Sequence, residues 1–400
     1  MLDAYIYDGL RTPFGRHAGA LASVRPDDLV AQVMQALLAH MPFASSRIED
    51  VILGCACQSG EDSRNFARQA GLLAGLPLET GGATVNRLCG SGMNAVIDAA
   101  RAVSLGDGQL FLAGGAESMT RAPFILAKAE SPYSRDARIF DSTIGVRFPN
   151  PRFIEGWGND SMAETADNVA RELELGREES DRFALASQQK YAKAKAQGFF
   201  EGEIVAVDLP AGKQKEPASV TEDEHPRPQT SLESLAKLRP LAEGGVVTAG
   251  NASGINDGAA ALLIGSHHIG EKEGIPPLAR IRAAAVAGVA PRLMGLGPVP
   301  ASEKVLARAG LTRDQLDVIE INEAFAVQVL GCCRFMGLSP EDSRLNPNGG
   351  AIAIGHPLGA SGARLVLTAA RQLQRCGGRF ALVTMCIGVG QGIAIVLERV

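Results

Sequence analysis

The 400-residue sequence predicts an α/β fold built from two related halves. Three observations carry this: an internal repeat, short apolar strands alternating with helical periodicity, and glycines gathered where the two meet. In the repeat, SGMNAVIDAAR (91–101) matches SGARLVLTAAR (361–371) from its Ser-Gly start to its Ala-Ala-Arg end. Met93, Val96, Ile97, Ala100 and Val103 correspond to Ala363, Val366, Leu367, Ala370 and Leu373, and their i, i+3, i+4, i+7 spacing marks one apolar helix face in each copy.

In chain order, SRIEDVILG (46–54) reads as a polar, helix-like segment feeding a strand, and TRDQLDVIEI (312–321) does the same in the second half. Each repeat helix runs into a glycine stop, GDG (106–108) and CGG (376–378), and then into an apolar strand, QLFLAGG (109–115) and RFALVTMC (379–386). Residues 121–245 have a different character: DSMAETADNVAREL and ESDRFALASQQKYAKAKAQ read as helices, and KQKEPASVTEDEHPRPQTS (213–231) as a polar, proline-bearing connection. The predicted organisation is a first half over 1–120, completed by about 246–271, an inserted domain over 121–245, and a second half over 272–400. Alternating strands and helices predict mostly parallel sheets covered by helices, with ligands beyond the carboxyl ends of the strands.

Composition narrows the function. With 46% hydrophobic and 21% charged residues the chain reads as a globular enzyme, and its net charge of -5 gives no footprint for nucleic acid. The start MLDAYIYDGLRTPFGR lacks a basic segment followed by an apolar one, and no apolar run is long enough to span a bilayer, so a cytoplasmic protein without membrane association is expected. Seven cysteines, at 55, 57, 89, 332, 333, 376 and 386, form no disulfide framework, and without a CxxC pair or an HExxH motif no metal site is expected.

Four features can do chemistry. Cys89, in TVNRLCGSGMNAVIDAAR, stands just before a helix start, where orphan N–H groups and the helix dipole lower a thiol's pKa and raise its thiolate fraction. His356, in NPNGGAIAIGHPLGASGAR, holds nearly the same place before the second repeat helix, so pseudo-symmetry can bring an imidazole to the thiol. Cys386, in TMCIGVGQG, ends the last apolar strand, where a thiol with a pKa near ambient pH can carry a proton in either direction. Its glycine-rich turn can aim N–H groups at an oxyanion. Asn322, in EINEAFAVQV, is either an amide holding a water or carbonyl oxygen, or a helix N-cap. A rival reading, GSGMNA (90–95) as a dinucleotide fingerprint, fails on its poor preceding strand and on a thiol standing where pyrophosphate would lie.

Taken together, NRLCGSG, NEAFA, GHPLGASGAR, CIGVGQG and VTAGNASGINDGAAALL (247–263) resemble the thiolase family over essentially the whole chain. The resemblance implies two pseudo-symmetric βαβαβαββ halves in a five-layered αβαβα core with an inserted loop domain. It also implies a chemistry. Cys89 attacks the keto carbon of a 3-oxoacyl-CoA, acetyl-CoA leaves as an enolate that Cys386 protonates, and CoA deprotonated by His356 releases the acyl group from Cys89. By the same resemblance His356 and a water on Asn322 face the enolate oxygen, while the backbone N–H groups of Cys89 and Gly388 face the tetrahedral intermediate. Ser253, Arg227 and Met162 fall at positions that bind coenzyme A, Ser253 near pantetheine and Arg227 near the nucleotide. Coenzyme A is then a substrate, no cofactor is needed, and a homotetramer arranged as a dimer of dimers is expected.

The loop ESMTRAPFILAKAESPYSRDARIFDSTIGVRFPNP (117–151) is similar to that of family members that cleave 3-oxoadipyl-CoA to succinyl-CoA and acetyl-CoA in the degradation of aromatic compounds. A terminal carboxylate needs a cation, and this stretch offers Arg121, Lys128, Arg135, Arg138, Arg147 and Arg152. Acetoacetyl-CoA members commonly carry a histidine just before the loop methionine, whereas this chain reads Asp160-Ser161-Met162. The alternatives are a general degradative 3-ketoacyl-CoA thiolase, an acetoacetyl-CoA thiolase, and a non-catalytic acyl-CoA or sterol-carrier-like binding protein, the last disfavoured by the presence of all four chemical residues.

Overall fold

The computed structural model describes residues 2–211 and 218–400; the front of the polar connection read from the sequence, 212–217, lies outside them. Among the described residues ten strands form one sheet, the two-residue Gly15–Arg16 and nine longer ones: β1 (Ala4–Arg11), β2 (Asp50–Gly54), β3 (Ala83–Val85), β4 (Leu110–Ser118), β5 (Asn256–Gly265), β6 (Ala279–Gly288), β7 (Val318–Ile321), β8 (Phe380–Ile387) and β9 (Gln391–Glu398). Their order is β7-β8-β9-β6-β1-β5-β4-β2-β3, with Gly15–Arg16 adding a short pairing to β5. The run β6-β9-β8-β7 repeats β1-β5-β4-β2, and the two halves join where β1 pairs antiparallel with β6.

The sheet is mixed, which corrects the expectation of mostly parallel strands. Only β2 with β3, β2 with β4 and β7 with β8 run parallel among the named strands. The reason lies in the last strand of each half. β9 returns from β8 through the tight Gly388–Gly390 turn, and β5 returns beside β4 after the insertion, so each reverses direction.

Eight helices matter to the architecture: α1 (Pro26–His40), α2 (Phe66–Leu73), α3 (Ser91–Leu105), α4 (Met162–Glu172), α5 (Arg177–Ala196), α6 (Pro298–Ala309), α7 (Ala326–Met336) and α8 (Leu358–Cys376). Strand residues alternate between cores. In β5, Ala260, Leu262 and Ile264 enter the core shared with α3 and α8, while Ala259, Ala261 and Leu263 enter that of α1 and α2. In β8, Ala381, Val383 and Met385 join α3 and α8, while Phe380, Leu382 and Cys386 pack with α6 and α7. Five layers result, helices outside and in the middle with a half-sheet between each pair. Burial on both faces is why these strands read as unbroken apolar runs.

Both repeat helices end on a left-handed glycine, Gly106 (φ 83°) and Gly377 (φ 67°), as their glycine stops predict. The second copy begins at Leu358, three residues ahead of its Ser-Gly pair. The polar segments before β2 and β7 are single 3₁₀ turns, Ser45–Arg47 and Arg313–Gln315, not helices. In the middle layer α3 and α8 meet backbone to backbone: a Cβ on Gly92 would run into the carbonyl oxygen of Gly359, and one on Gly362 into the amide of Met93.

The chain leaves the sheet at Ser118 and returns at Asn256. Between these points α4 and α5 form where the sequence predicts, and Ala166, Ala170, Phe183 and Ala184 pack them into the α6 and α7 core. A hairpin, Phe124–Leu126 with Ile139–Asp141, projects beyond them with Phe124, Leu126, Tyr133 and Ile139 exposed. Among the described residues no helix is long and apolar enough to cross a membrane.

Candidate active site

Two of the four candidate residues sit at the strands' carboxyl ends and two in the turns ahead of the repeat helices. Asn322 follows β7 directly, Cys386 is the penultimate residue of β8, Cys89 lies between β3 and α3, and His356 lies just ahead of α8. Asn322 is not a helix cap, because α7 starts later with Phe325 at its N-cap. Its amide is free for other work.

The Cys89 loop is a tensioned turn. Leu88 stands at φ 47°, a left-handed conformation uncommon for a leucine, and sets the sulfur at the foot of α3. Its N–H donates to Asn86 Oδ1 (2.9 Å), whose amide in turn donates to the Ala56 carbonyl (3.0 Å). Ser91 closes the turn from the helix side, its Oγ donating to the Leu88 carbonyl (2.6 Å) and accepting from the Arg87 N–H (2.9 Å).

The His356 loop is closed in the same way by the matching serine of the repeat. Ser361 Oγ donates to the Pro357 carbonyl (2.7 Å) and sits 2.6 Å from His356 Nδ1. Since that hydroxyl hydrogen is already used, Nδ1 carries the proton and Nε2 presents its lone pair. Asn322 Nδ2 faces Nε2 at 3.4 Å, and Asn322 Oδ1 is buried with no hydrogen-bond partner among the described residues. The backbone of His356 is pinned to Asn256 Oδ1 at the start of β5 (2.9 Å).

Two clusters therefore form, and one carboxylate spans them. The Gly388 backbone lies close enough to Cys89 to favour its thiolate, and ionised Cys89 opposes ionisation of Cys386. Buried Glu117, in β4, accepts from the N–H groups of Ala56 (2.9 Å) and Cys57 (2.9 Å) on the first-half side and of Gly359 (2.8 Å) on the other. Its charge also acts on Cys89. With Cys55 and Asp62 it forms a buried group of possible metal donors within 4.8 Å of one another, a cluster the sequence reading did not foresee. Burial pushes the Glu117 carboxyl up to about 7.

Burial also overturns two expectations about the thiols. Desolvation pushes Cys89 up to about 11, and the opposing hydrogen bonds from the Gly388 and Cys89 backbones do not offset it. Cys386, more deeply buried, is driven well above the ordinary thiol range and is not poised near ambient pH. Desolvation acts oppositely on the imidazole: His356 is lowered to about 3, with the Arg364 cation adding to the effect. The resting protein thus holds protonated thiols in one cluster and a neutral imidazole with a free Nε2 lone pair in the other. A thiol in such a site must lose its proton as it attacks, with the negative charge passing to the substrate oxygen.

Each position expected to contact coenzyme A is tied to a segment that carries a candidate residue. Met162, the first residue of α4, would touch a Cβ placed on Gly388, its sulfur lying 3.7 Å away. The Ser161–Glu164 capping box fixes that helix start, and Asp160 turns away to Arg292 (2.8 Å). The Ser253 N–H donates to the carbonyl of Ala324 (2.9 Å), two residues beyond Asn322. Arg227 is exposed, its N–H held by Gln188 Oε1 (2.9 Å), whose amide reaches the Ile352 carbonyl (3.2 Å) before His356. Sequence reasoning missed Glu117, an acid inside an apolar strand run, and the work of Ser361. The serine shared by both repeats was the signal for the latter.

A two-fold repeated α/β fold with two thiols from one pair of loops and an imidazole beside an amide from another is the form of an acyltransferase of the thiolase type. The chain belongs to the thiolase family: the model described as "Thiolase, N-terminal domain" matches residues 4–268 and "Thiolase, C-terminal domain" matches 275–399. It is similar, at 58% identity over the whole of both chains, to the 3-oxoadipyl-CoA/3-oxo-5,6-dehydrosuberyl-CoA thiolase of Escherichia coli. Among solved structures it resembles the Bacillus anthracis acetyl-CoA acetyltransferase, with 34% identity, TM-score 0.93, and 100% of this chain and 99% of that one covered. It also resembles human mitochondrial 3-ketoacyl-CoA thiolase, with 37% identity, TM-score 0.91 and the same coverage.

Proposed function

We propose that this enzyme cleaves 3-oxoadipyl-CoA with coenzyme A to succinyl-CoA and acetyl-CoA, in the degradation of aromatic compounds. The observation that carries the substrate is the 58% identity, end to end, with a relative named for that thioester. The Asp160-Ser161-Met162 sequence, where acetoacetyl-CoA members commonly carry a histidine, supports the same choice.

In the proposed reaction His356 Nε2 takes the Cys89 proton as the sulfur attacks the keto carbon, and the backbone N–H groups of Cys89 and Gly388 receive the developing oxyanion. The bond between the α and β carbons then breaks. Cys386 gives its proton to the acetyl-CoA enolate, whose oxygen faces His356 and a water held by Asn322 Oδ1. The proton that His356 took from Cys89 passes to the Cys386 thiolate as acetyl-CoA leaves. The acyl thioester on Cys89 remains until CoA, deprotonated by the again neutral His356, displaces it and Cys89 takes that proton back. Each well-placed oxyanion donor contributes a few kcal/mol to such steps. Ser253, Arg227 and Met162 are read as the coenzyme A contacts, and the chemistry calls for neither a metal nor a redox cofactor.

The same reading gives a cytoplasmic homotetramer, a dimer of dimers. Two features support the assembly: among the described residues β3 ends the sheet with no further strand paired to it, and the hairpin of the insertion exposes Phe124, Leu126 and Ile139.

The test is a thiolysis assay with 3-oxoadipyl-CoA, acetoacetyl-CoA and 3-oxohexanoyl-CoA. The first is expected to have the highest kcat/KM, and equal or better turnover of the uncharged pair would remove the dicarboxylate assignment.

A further inference from the structure

The loop after β4 offers six cations, and the structure sorts them. Glu61 holds Arg121 through Nε (2.5 Å) and Nη2 (2.6 Å). Glu130 pairs with Arg138 at 2.8 Å. Lys128, Arg135 and Arg152 are exposed to solvent. Arg147 alone among the six is partly buried without a carboxylate in ion-pair reach among the described residues. Its Nη1 donates to the Ser142 carbonyl (3.3 Å) and to Cys57 Sγ (3.7 Å), and its Nε and Nη2 make no hydrogen bond among the described residues.

Its neighbours tie Arg147 to the site. Cys57 follows β2 at the carboxyl end of the first-half strands. The Cys57 N–H donates to Glu117 Oε1 (2.9 Å), and the carbonyl of adjacent Ala56 holds Asn86 in the Cys89 loop (3.0 Å). Glu117 Oε2 in turn holds Gly359, three residues beyond His356 (2.8 Å). The guanidinium thus rests on Cys57, which is bonded to Glu117, the brace of the His356 loop, and is adjacent to Ala56, the brace of the Cys89 loop.

We infer that Arg147 is the specificity residue that receives the distal carboxylate of the acyl chain carried on Cys89. A partly desolvated guanidinium with open donors lacks the partner it is built to hold, and its planar fork matches a carboxylate with two parallel hydrogen bonds. A succinyl chain is short, so its acid must be met at the wall of the pocket by a group braced with the nucleophile loop. The exposed Lys128, Arg135 and Arg138 of the hairpin and Arg152 of the helix after it do not meet that condition. The inference rests on the reading that the acyl group ends in a carboxylate.

The test compares wild type, Arg147→Gln and Arg147→Lys on 3-oxoadipyl-CoA and on 3-oxohexanoyl-CoA, its uncharged counterpart of equal chain length. The quantity read is the ratio of the two kcat/KM values. It is expected to fall about 10- to 100-fold in Arg147→Gln, mainly through KM for the charged substrate, and to recover in part in Arg147→Lys. A ratio kept in Arg147→Gln, including one kept because both substrates lose equally, overturns the role of Arg147 and leaves the dicarboxylate assignment standing. A wild-type ratio at or below one overturns that assignment, and the inference with it.

Discussion

The hydroxyl of Ser361 lies 2.6 Å from Nδ1 of His356, and it fixes which ring nitrogen is free to accept a proton. Replacing Ser361 by Ala removes that hold while leaving the imidazole in its buried pocket. We expect kcat for thiolysis to fall roughly 10-fold, the worth of one hydrogen bond to a group that becomes charged, with KM for CoA little changed. Steady-state kinetics on the purified variant checks this, and an unaltered kcat would mean the tautomer is set by something else.

The two thiols are expected to fail differently. Cys89→Ala abolishes acyl transfer, because it removes the sulfur that the proposed reaction acylates. Cys386→Ala still accepts an acyl group on residue 89, slowly, since only the proton to the leaving enolate is lost. Intact-protein mass spectrometry with peptide mapping locates the label, and a label on residue 386 of the wild type contradicts the assigned roles.

Acid stability carries the signature of His356. Its folded-state value, about 3, lies below the ordinary 6.5, so the stabilising contribution is complete above pH 6.5. It is lost as pH falls from there towards about 3, because the unfolded chain takes up a proton that the folded protein refuses. The slope from this one group is about 1.4 kcal/mol per pH unit within that window. Urea unfolding at pH 7 and pH 5 should therefore show a smaller acid loss in His356→Gln than in wild type. For the same reason protonation of this base should not depress kcat/KM between pH 8 and pH 6.

Behind the site, Arg364 and Glu320 are fully buried and feel each other's charge, yet none of their charged atoms has a hydrogen-bond partner among the described residues. Burial pushes Glu320 up to about 8, so at neutral pH it is mostly uncharged and offers the arginine little compensation. Arg364→Met should consequently leave stability unchanged or raise it by about 1 to 4 kcal/mol. It should also move the acid limb of the pH-rate profile upward, since the cation that lowers His356 is gone. A stability loss above roughly 3 kcal/mol in urea unfolding would reject this account.

Assembly is testable at the hairpin. Phe124→Asp combined with Ile139→Lys removes two exposed apolar side chains from its strands. Light scattering should report dimers in place of tetramers, and a persistent tetramer would place the contact elsewhere.

Much of this was legible in the sequence because helix periodicity, glycine stops and a repeat are local signals. The α3 and α8 cores, the left-handed Gly106 and Gly377, the positions of Cys89 and His356 ahead of the repeat helices and those of Asn322 and Cys386 at strand ends all follow from them. Strand direction was not legible, since an apolar run buried on two faces looks the same whichever way its neighbour runs. The state of the thiols was misjudged for a related reason. The helix start beside Cys89 is visible in one dimension, but the desolvation that pushes its thiol up to about 11 comes from residues distant in the chain. Glu117 stayed hidden because its partners lie at Ala56, Cys57 and Gly359, which only folding unites.

The contact of α3 with α8 sets a limit on how such a protein can diversify. Where a single added methyl on Gly92 or Gly362 would strike backbone, descent can alter almost nothing, and the inherited centre is frozen from the moment of its duplication. Novelty is left to the periphery, so one ancestral reaction can be offered to many different acids by rewriting only the segment that greets them.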